Sequence, residues 1–273
     1  MYAYLFGENY IYLQKHTVLK RKLMLKEERH QYILNRIKQD YRIYITALSE
    51  ELNISDDTLR RDLIELDEKR LLTKVHGGAI AKSGIPVEFT RRLNIGVSEK
   101  IHLAKKTIPL FKSGEILLID GGTTNLELVR QLPSNLEITI YTNSFPIVNE
   151  LIDHPNIELI FLGGNVFSSS RITVGIPVIQ ALQAFRADWV VLGSSNIHPQ
   201  KGLTVPDREE AFVTRLMVEK GKQRVVLVDS YKLNTAETCC VASLNDIDYL
   251  VVEDEKIDYI KETWSYDFSY TIL

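Results

Sequence analysis

The sequence predicts two unlike parts: an N-terminal winged helix-turn-helix, mainly α with a β wing, and a C-terminal α/β unit on a doubly wound, mostly parallel sheet. Three observations carry that reading. The stretch SDDTLRRDL (55–63) joins a capping serine and first-turn acids to leucines at helical spacing. LLTKVHGGAIA (71–81) follows it and reads as strand, glycine turn and strand. Beyond residue 98, short apolar runs bounded by Gly and Asp alternate with helical patterns, as a parallel sheet buried on both faces requires.

Composition sets the outer limits. At 273 residues, 45% hydrophobic and 25% charged, the chain can bury one large or two unequal cores. A net charge of −3 means that any nucleic-acid contact must come from a local cluster rather than from overall basicity. No apolar run approaches the roughly 18 residues of a membrane helix, so no membrane partner is expected. Cys239 and Cys240 are adjacent, which excludes a disulfide framework and metal-ligand spacing; they read as reduced thiols, one of them buried, in a cytoplasmic protein. The six histidines (16, 30, 76, 102, 154 and 198) are scattered without ligand pairs. DGGTT (120–124) lacks the third glycine of a dinucleotide fingerprint. No metal and no cofactor is expected.

Residues 1–23 read as an extension, because their basic residues follow the apolar part and no small-residue cleavage site appears. Composition changes at Met24, which reads as the natural start. From Leu25 to Asp40, Tyr32, Ile33, Leu34 and Ile37 recur at helical spacing. Ile43-Tyr44-Ile45 reads as a short strand, and Thr46 as the cap of a second helix that turns Leu48 and Leu52 inward. After a turn at Asn53-Ile54, the third helix buries Leu59, Leu63 and Leu66, which leaves Thr58, Arg60 and Arg61 facing outward. Residues 24–82 thus form the first domain, 83–98 a linker punctuated by Gly84, Pro86 and Gly96, and 99–273 the second domain. Its strands are expected at 115–119, 136–141, 157–163, 188–194, 224–229 and 249–253.

In a helix-turn-helix the exposed half of the third helix enters the major groove, where arginine bridges guanine O6 and N7 or clamps a phosphate. Arg60 and Arg61 suit that task, Ser55 and Thr58 offer hydroxyls to phosphate oxygens or a thymine methyl, and Lys74 and His76 extend the wing. The plain alternative is a set of surface ion pairs with Asp57, Asp62 and Glu65. In the second domain, Asp120-Gly121-Gly122-Thr123-Thr124 follows a strand and opens a helix, a place where amides and hydroxyls cradle a phosphate. The alternative there is a simple turn capped by Thr123 or Thr124. Thr142-Asn143-Ser144, Gly163-Gly164-Asn165 and Gly193-Ser194-Ser195-Asn196 end further strands and converge on the same crevice, a lining suited to a polyhydroxylated, phosphorylated ligand. Asp207, Glu209 and Glu210 open a later helix, and Lys232 follows Asp229 just beyond a strand.

SDDTLRRDL and LLTKVHGGA resemble the helix-turn-helix and wing of the DeoR family of bacterial transcriptional regulators. LIDGGTT (118–124), YTNS (141–144), LGG (162–164), GLTVPDREEA (202–211) and VDSYKL (228–233) follow in the family's order, so the resemblance runs from Met24 to about Asp254. It implies a sensor domain similar in fold to ribose-5-phosphate isomerase and responsive to sugar phosphates. The DGGTT loop would hold the phosphate, with Asn143, Ser144, Gly164, Ser194, Ser195, Asn196, Glu209 and Lys232 placed around the sugar. Three departures stand out: Arg70 where a glycine often closes the third helix, Gly193-Ser194-Ser195-Asn196-Ile197 in place of Gly-Ala-Asp-Gly-Ile, and Leu233-Asn234 in place of Phe-Gly after the lysine.

The expected function is a repressor of carbohydrate-metabolism genes that binds a double-stranded DNA operator as a homo-oligomer, dimer or tetramer, under the control of a phosphorylated sugar. Two other readings compete. A sugar-phosphate isomerase needs a positioned carboxylate base, which Ser194-Ser195-Asn196 does not supply. A DNA-binding protein whose second domain only oligomerises would ignore every metabolite.

Overall fold

The computed structural model describes residues 24–40, 42–75, 77–81, 89–193, 195–264 and 269–273. The chain divides into two compact units, Met1–Ile85 and Pro86–Leu273. The 1–23 extension and residues 82–88 of the expected linker lie outside the described residues.

The first unit runs α1 (Lys26–Asp40), β1 (Arg42–Tyr44), α2 (Ile45–Leu52), α3 (Asp56–Glu68), β2 (Leu72–Val75) and β3 (Gly78–Ala81). Its antiparallel sheet has the order β1-β3-β2. The core is built from the residues the helical spacing selects: Ile33 and Ile37 of α1, Leu48 and Leu52 of α2, and Leu59, Leu63 and Leu66 of α3, closed by Leu72 and Ala79. One boundary differs from expectation. Helix α2 begins at Ile45, Tyr44 is its N-cap, and Thr46 caps nothing. The wing turn takes over that task, because the Ile45 amide donates to the Gly77 carbonyl at 2.9 Å. The turn is also tight enough to need two glycines. Gly77 has φ 78°, and a Cβ on Gly78 would lie 2.0 Å from the Ile43 carbonyl oxygen.

At the other end of α3, Arg70 occupies the left-handed position expected of a glycine, with φ 57°. The Leu71 amide closes the motif on the Leu66 carbonyl at 2.9 Å. A non-glycine residue in that conformation costs about 1 kcal/mol.

The second unit continues with α4 (Phe89–Arg92), α5 (Val97–Thr107), β4 (Ile116–Ile119), α6 (Thr123–Arg130), β5 (Ile138–Thr142), α7 (Phe145–Leu151) and β6 (Ile157–Phe161). Next come the hairpin β7 (Asn165–Phe167) and β8 (Ile172–Val174), then α8 (Ile176–Gln183), β9 (Ala187–Gly193), β10 (Asn196–His198), β11 (Gly202–Val205) and α9 (Arg208–Val218). The chain ends with β12 (Gly221–Leu227), β13 (Cys239–Ala242), β14 (Tyr249–Val251), α10 (Asp254–Thr263) and β15 (Thr271–Ile272). Seven strands form one parallel sheet in the order β15-β14-β12-β9-β4-β5-β6. From the seam between β4 and β9, the chain winds outward through β5 and β6 on one side and through β12, β14 and β15 on the other. That seam is the topological switch point of a doubly wound sheet.

Alternate residues of each central strand supply two cores. Trp189 and Val191 of β9 join Leu103 of α5, Leu126 of α6 and Ile147 of α7. Val190 and Leu192 join Val178 of α8, Met217 of α9 and Ile260 of α10. The segment expected as linker is partly ordered into this unit, since Phe89 is buried in the first of these cores and α5 already begins at Val97. A small antiparallel sheet, β10-β11-β13, was not expected. Neither cysteine is buried, contrary to expectation: β13 is an edge strand of that small sheet, which leaves Cys240 exposed and Cys239 half-buried.

Candidate functional site

On α3, Ser55 is the expected N-cap and accepts the Thr58 amide at 3.2 Å, and its Oγ lies 2.8 Å from Thr58 Oγ1. Ser49 Oγ, 2.6 Å from Asp56 Oδ1, ties α2 to the start of this helix. Arg60 and Arg61 are both exposed. Arg60 Nη1 stands 3.7 Å from Asp57 Oδ1, with both side chains mostly in water, a pair of little energetic weight. Arg61 has no ion pair or hydrogen bond among the described residues. The other acids face elsewhere. Asp62 is 2% exposed and takes Arg29 in a fork, Nε at 2.5 Å and Nη2 at 3.0 Å, with His30 Nε2 at 3.1 Å. Glu65 pairs with Lys26 at 2.5 Å. Two of the three acids that could have neutralised the arginines thus fasten α3 to α1. Lys74 is exposed on β2; His76 lies outside the described residues.

In the second unit, Asp120 directly follows β4 at the switch point and is 7% exposed. Burial pushes its carboxyl up to about 8, the neighbouring Glu210 adds to the rise, and the Gly121 amide pulls back. A Cβ on Gly121 would lie 2.4 Å from Ile172 Cγ2. Gly122 has φ 113° with open space where a Cβ would point, and it is the N-cap of α6. Neither Thr123 nor Thr124 caps the helix, and no side chain closes its first-turn amides. Both threonines are buried. Asn125, which the sequence reading passed over, stitches the loop together: its Nδ2 donates to the Asp120 carbonyl at 2.9 Å and lies 3.3 Å from that of Gly121 and 3.4 Å from that of Val191. An asparagine in the first turn of the helix, directly after DGGTT, was the available signal, and it is wholly buried.

The remaining strand ends contribute unequally. Asn143 and Ser144 are fully buried; the Asn143 Nδ2 donates to the Thr173 carbonyl at 3.0 Å, while its Oδ1 and the Ser144 Oγ have no partner. Gly164 is exposed with φ 140°. Ser195 is half-buried, and Ser194 lies outside the described residues. Asn196 is 3% exposed, its Oδ1 engaged by Thr235 Oγ1 at 2.6 Å. Lys232 Nζ stands 3.1 Å from Oδ2 of the fully buried Asp229. On α9 the two neighbouring acids differ in exposure. Glu209 is exposed, and Glu210 is the acid that turns inward, about 100° further round the helix. Burial raises the Glu210 carboxyl above its usual range, with Arg92 opposing the rise and Ser170 Oγ 3.4 Å away. Asp207 has a local task, accepting the Glu209 and Glu210 amides at 2.8 and 2.9 Å as the N-cap of α9. Among the described residues no group of acids, histidines and cysteines could hold a metal ion.

Comparison with known proteins matches residues 29–84 to the DeoR-like helix-turn-helix domain and residues 96–254 to the DeoR C terminal sensor domain. The chain belongs to the DeoR family of transcriptional regulators. It is 31% identical over 232 residues to the HTH-type transcriptional repressor GlcR of Bacillus subtilis, covering 84% of this chain and 89% of that protein. It is 29% identical over 238 residues to the uncharacterized HTH-type transcriptional regulator FruR of the same organism, covering 86% and 94%. Among solved structures, the ribose 5-phosphate isomerase A of Methanocaldococcus jannaschii aligns at 19% identity over 50% of this chain and 55% of that one, with a TM-score of 0.38.

Proposed function

We propose that this DeoR-family regulator represses carbohydrate-metabolism genes by seating α3 in the major groove of an operator, and that a phosphorylated sugar at the β4–α6 loop weakens that hold. Residues 24–82 form the DNA-binding domain, with Arg60 and Arg61 as the main base or phosphate contacts, Ser55 and Thr58 beside them, and Lys74 and His76 on the wing. The effector lies across the switch point. Gly121, Gly122, Thr123 and Thr124 receive the phosphate, Asp120 stands beside them, and Asn143, Ser144, Gly164, Ser194, Ser195, Asn196 and Lys232 surround the sugar. One observation carries this reading. Helix α6 opens on a glycine with no capping side chain, at the seam where the two halves of the sheet part, so its positive end is free to meet an anion. One recognition helix reads only a few base pairs, so the chain acts as a homo-oligomer on repeated half-sites, in the cytoplasm.

The test is footprinting on the DNA upstream of its own gene, with and without a panel of pentose and hexose monophosphates. Arg60→Ala and Arg61→Ala weaken protection but leave ligand-induced thermal stabilisation intact. Thr123→Ala and Lys232→Ala do the reverse. Coupling is reciprocal, so DNA-bound protein also binds the effector less tightly. Protection unchanged in both arginine variants would remove α3 from the groove. Protection indifferent to every phosphate ester would leave the second unit as an oligomerisation module.

A further inference from the structure

Asn234 lies two residues beyond Lys232 with φ 60°, a conformation that glycine adopts freely and asparagine tolerates. Both polar atoms of its side chain are engaged. Trp264 Nε1 donates to its Oδ1 at 2.9 Å, and its Nδ2 donates to the Tyr259 hydroxyl at 3.0 Å. Trp264, 1% exposed, follows the last turn of α10 and belongs to the core beneath it. On the opposite side, Thr235 holds the same turn to β10: its amide donates to the Ile197 carbonyl at 3.2 Å, and its Oγ1 lies 2.6 Å from Asn196 Oδ1 and 2.7 Å from the Lys232 carbonyl. The turn opens with the Ser230 amide donating to Glu253 Oε1 at 3.1 Å. Lys232 is therefore carried on a short segment fastened at its start, to β10 and to α10.

The surroundings of that lysine have unused capacity. Asp229, fully buried, meets the ammonium by ion-pair distance alone, and neither of its carboxyl oxygens has an aligned hydrogen bond; Glu253 Oε2 is likewise buried without a partner. Buried polar atoms left in that state are what the hydroxyls of a polyol complete. Strands β4 and β12 flank β9, so the ends of the phosphate loop and of the lysine segment lie two strand spacings apart, about 10 Å. An extended sugar monophosphate spans such a gap.

We propose that Asn234 is a positioning residue for the effector: its bonds to Trp264 and Tyr259 fix the aim of Lys232 at an anion on the β4–α6 loop, and they carry the occupancy of the site to α10. This rests on the effector reading above. Two substitutions separate side chain from backbone. Asn234→Gly relieves the left-handed backbone but loses both bonds, whereas Asn234→Asp keeps an acceptor for Trp264.

The probes are inorganic phosphate and a panel of pentose and hexose monophosphates, followed by calorimetry and by tryptophan emission in a Trp189→Phe background, where Trp264 is the sole reporter. Binding shifts the emission in the parent. Asn234→Gly abolishes the shift and weakens binding about tenfold, and Asn234→Asp restores most of both. Equal affinity and an equal shift in Asn234→Gly overturn the inference. A ligand-independent arm measures the rate at which an amine reagent labels Lys232, read by mass spectrometry. Faster labelling in Asn234→Gly supports the lash, and identical rates overturn it. If no phosphate ester binds the parent in calorimetry, the effector reading fails, while the labelling rates still judge what Asn234 does.

Discussion

Asp62 and Asp120 are both acids removed from water, one in each unit, and their surroundings are opposites. Asp62 meets a forked arginine and a histidine from α1, so its oxygens are fully served. Asp120 meets the Gly121 amide and a second acid, with no cation on its own carboxyl among the described residues, and burial keeps it protonated well above the usual carboxylate range. The first arrangement is a fastening. It holds Asp62 inward against α1, while Arg60 and Arg61, two residues and one residue away and so on other faces of the helix, point to the surface. The second arrangement is unfinished, and an unfinished polar cluster at a switch point is where a ligand supplies the missing partners. Burial of a charge-bearing group therefore says little about function until its partners are counted.

Four substitutions break or sharpen that contrast. Asp62→Ala has the largest expected effect, because it strands Arg29 and His30 in a mostly buried site; the first unit loses about 3–5 kcal/mol, measured by chemical denaturation, and operator binding goes with it. Asp120→Asn comes next and acts in the opposite direction. An acid whose folded pKa is raised contributes stability that is present below its unfolded pKa near 4 and lost as pH rises toward about 8. Inside that window each pH unit costs up to about 1.4 kcal/mol. The asparagine cannot ionise, so the variant gains on the parent as pH rises from 5 to 8, as thermal melts across that range will show. Equal slopes for the two proteins would mean that Asp120 titrates like a solvated acid.

Arg61→Ala should cost about 1–3 kcal/mol of operator affinity, read by fluorescence anisotropy, with folding stability unchanged within about 0.5 kcal/mol. A loss of stability instead would place Arg61 with Asp62 among the fastenings. The smallest effect belongs to Arg70→Gly, which removes the left-handed strain after α3 and stabilises the first unit by up to about 1 kcal/mol, seen as a higher denaturation midpoint.

The parts of the molecule legible in the sequence are those set by neighbours along the chain. Ser55 and the leucines of α3 announce a helix, GG announces the wing turn, and the apolar runs of the central strands β4 and β9 announce strands with both faces covered, whereas edge strand β6 is partly exposed and the two-residue β15 was not expected. What was not legible depends on partners far away in sequence. Asp62 could be assigned to the arginines on its own helix because nothing local says that Arg29, 33 residues earlier, will reach it. Glu209 and Glu210 differ only by one step of helical rotation, and only the packing of α9 decides which turns inward. The cap of α2 was misplaced for the same reason, since the group that serves its first amide is the Gly77 carbonyl of the wing.

Gly193 is the last residue of β9. A methyl group on it would sit 2.7 Å from the Gly121 carbonyl oxygen, so the loops leaving β9 and β4 meet main chain to main chain. Any side chain at position 193 would therefore have to push the Gly121 main chain aside, so the closeness of the two strand ends depends on the missing Cβ.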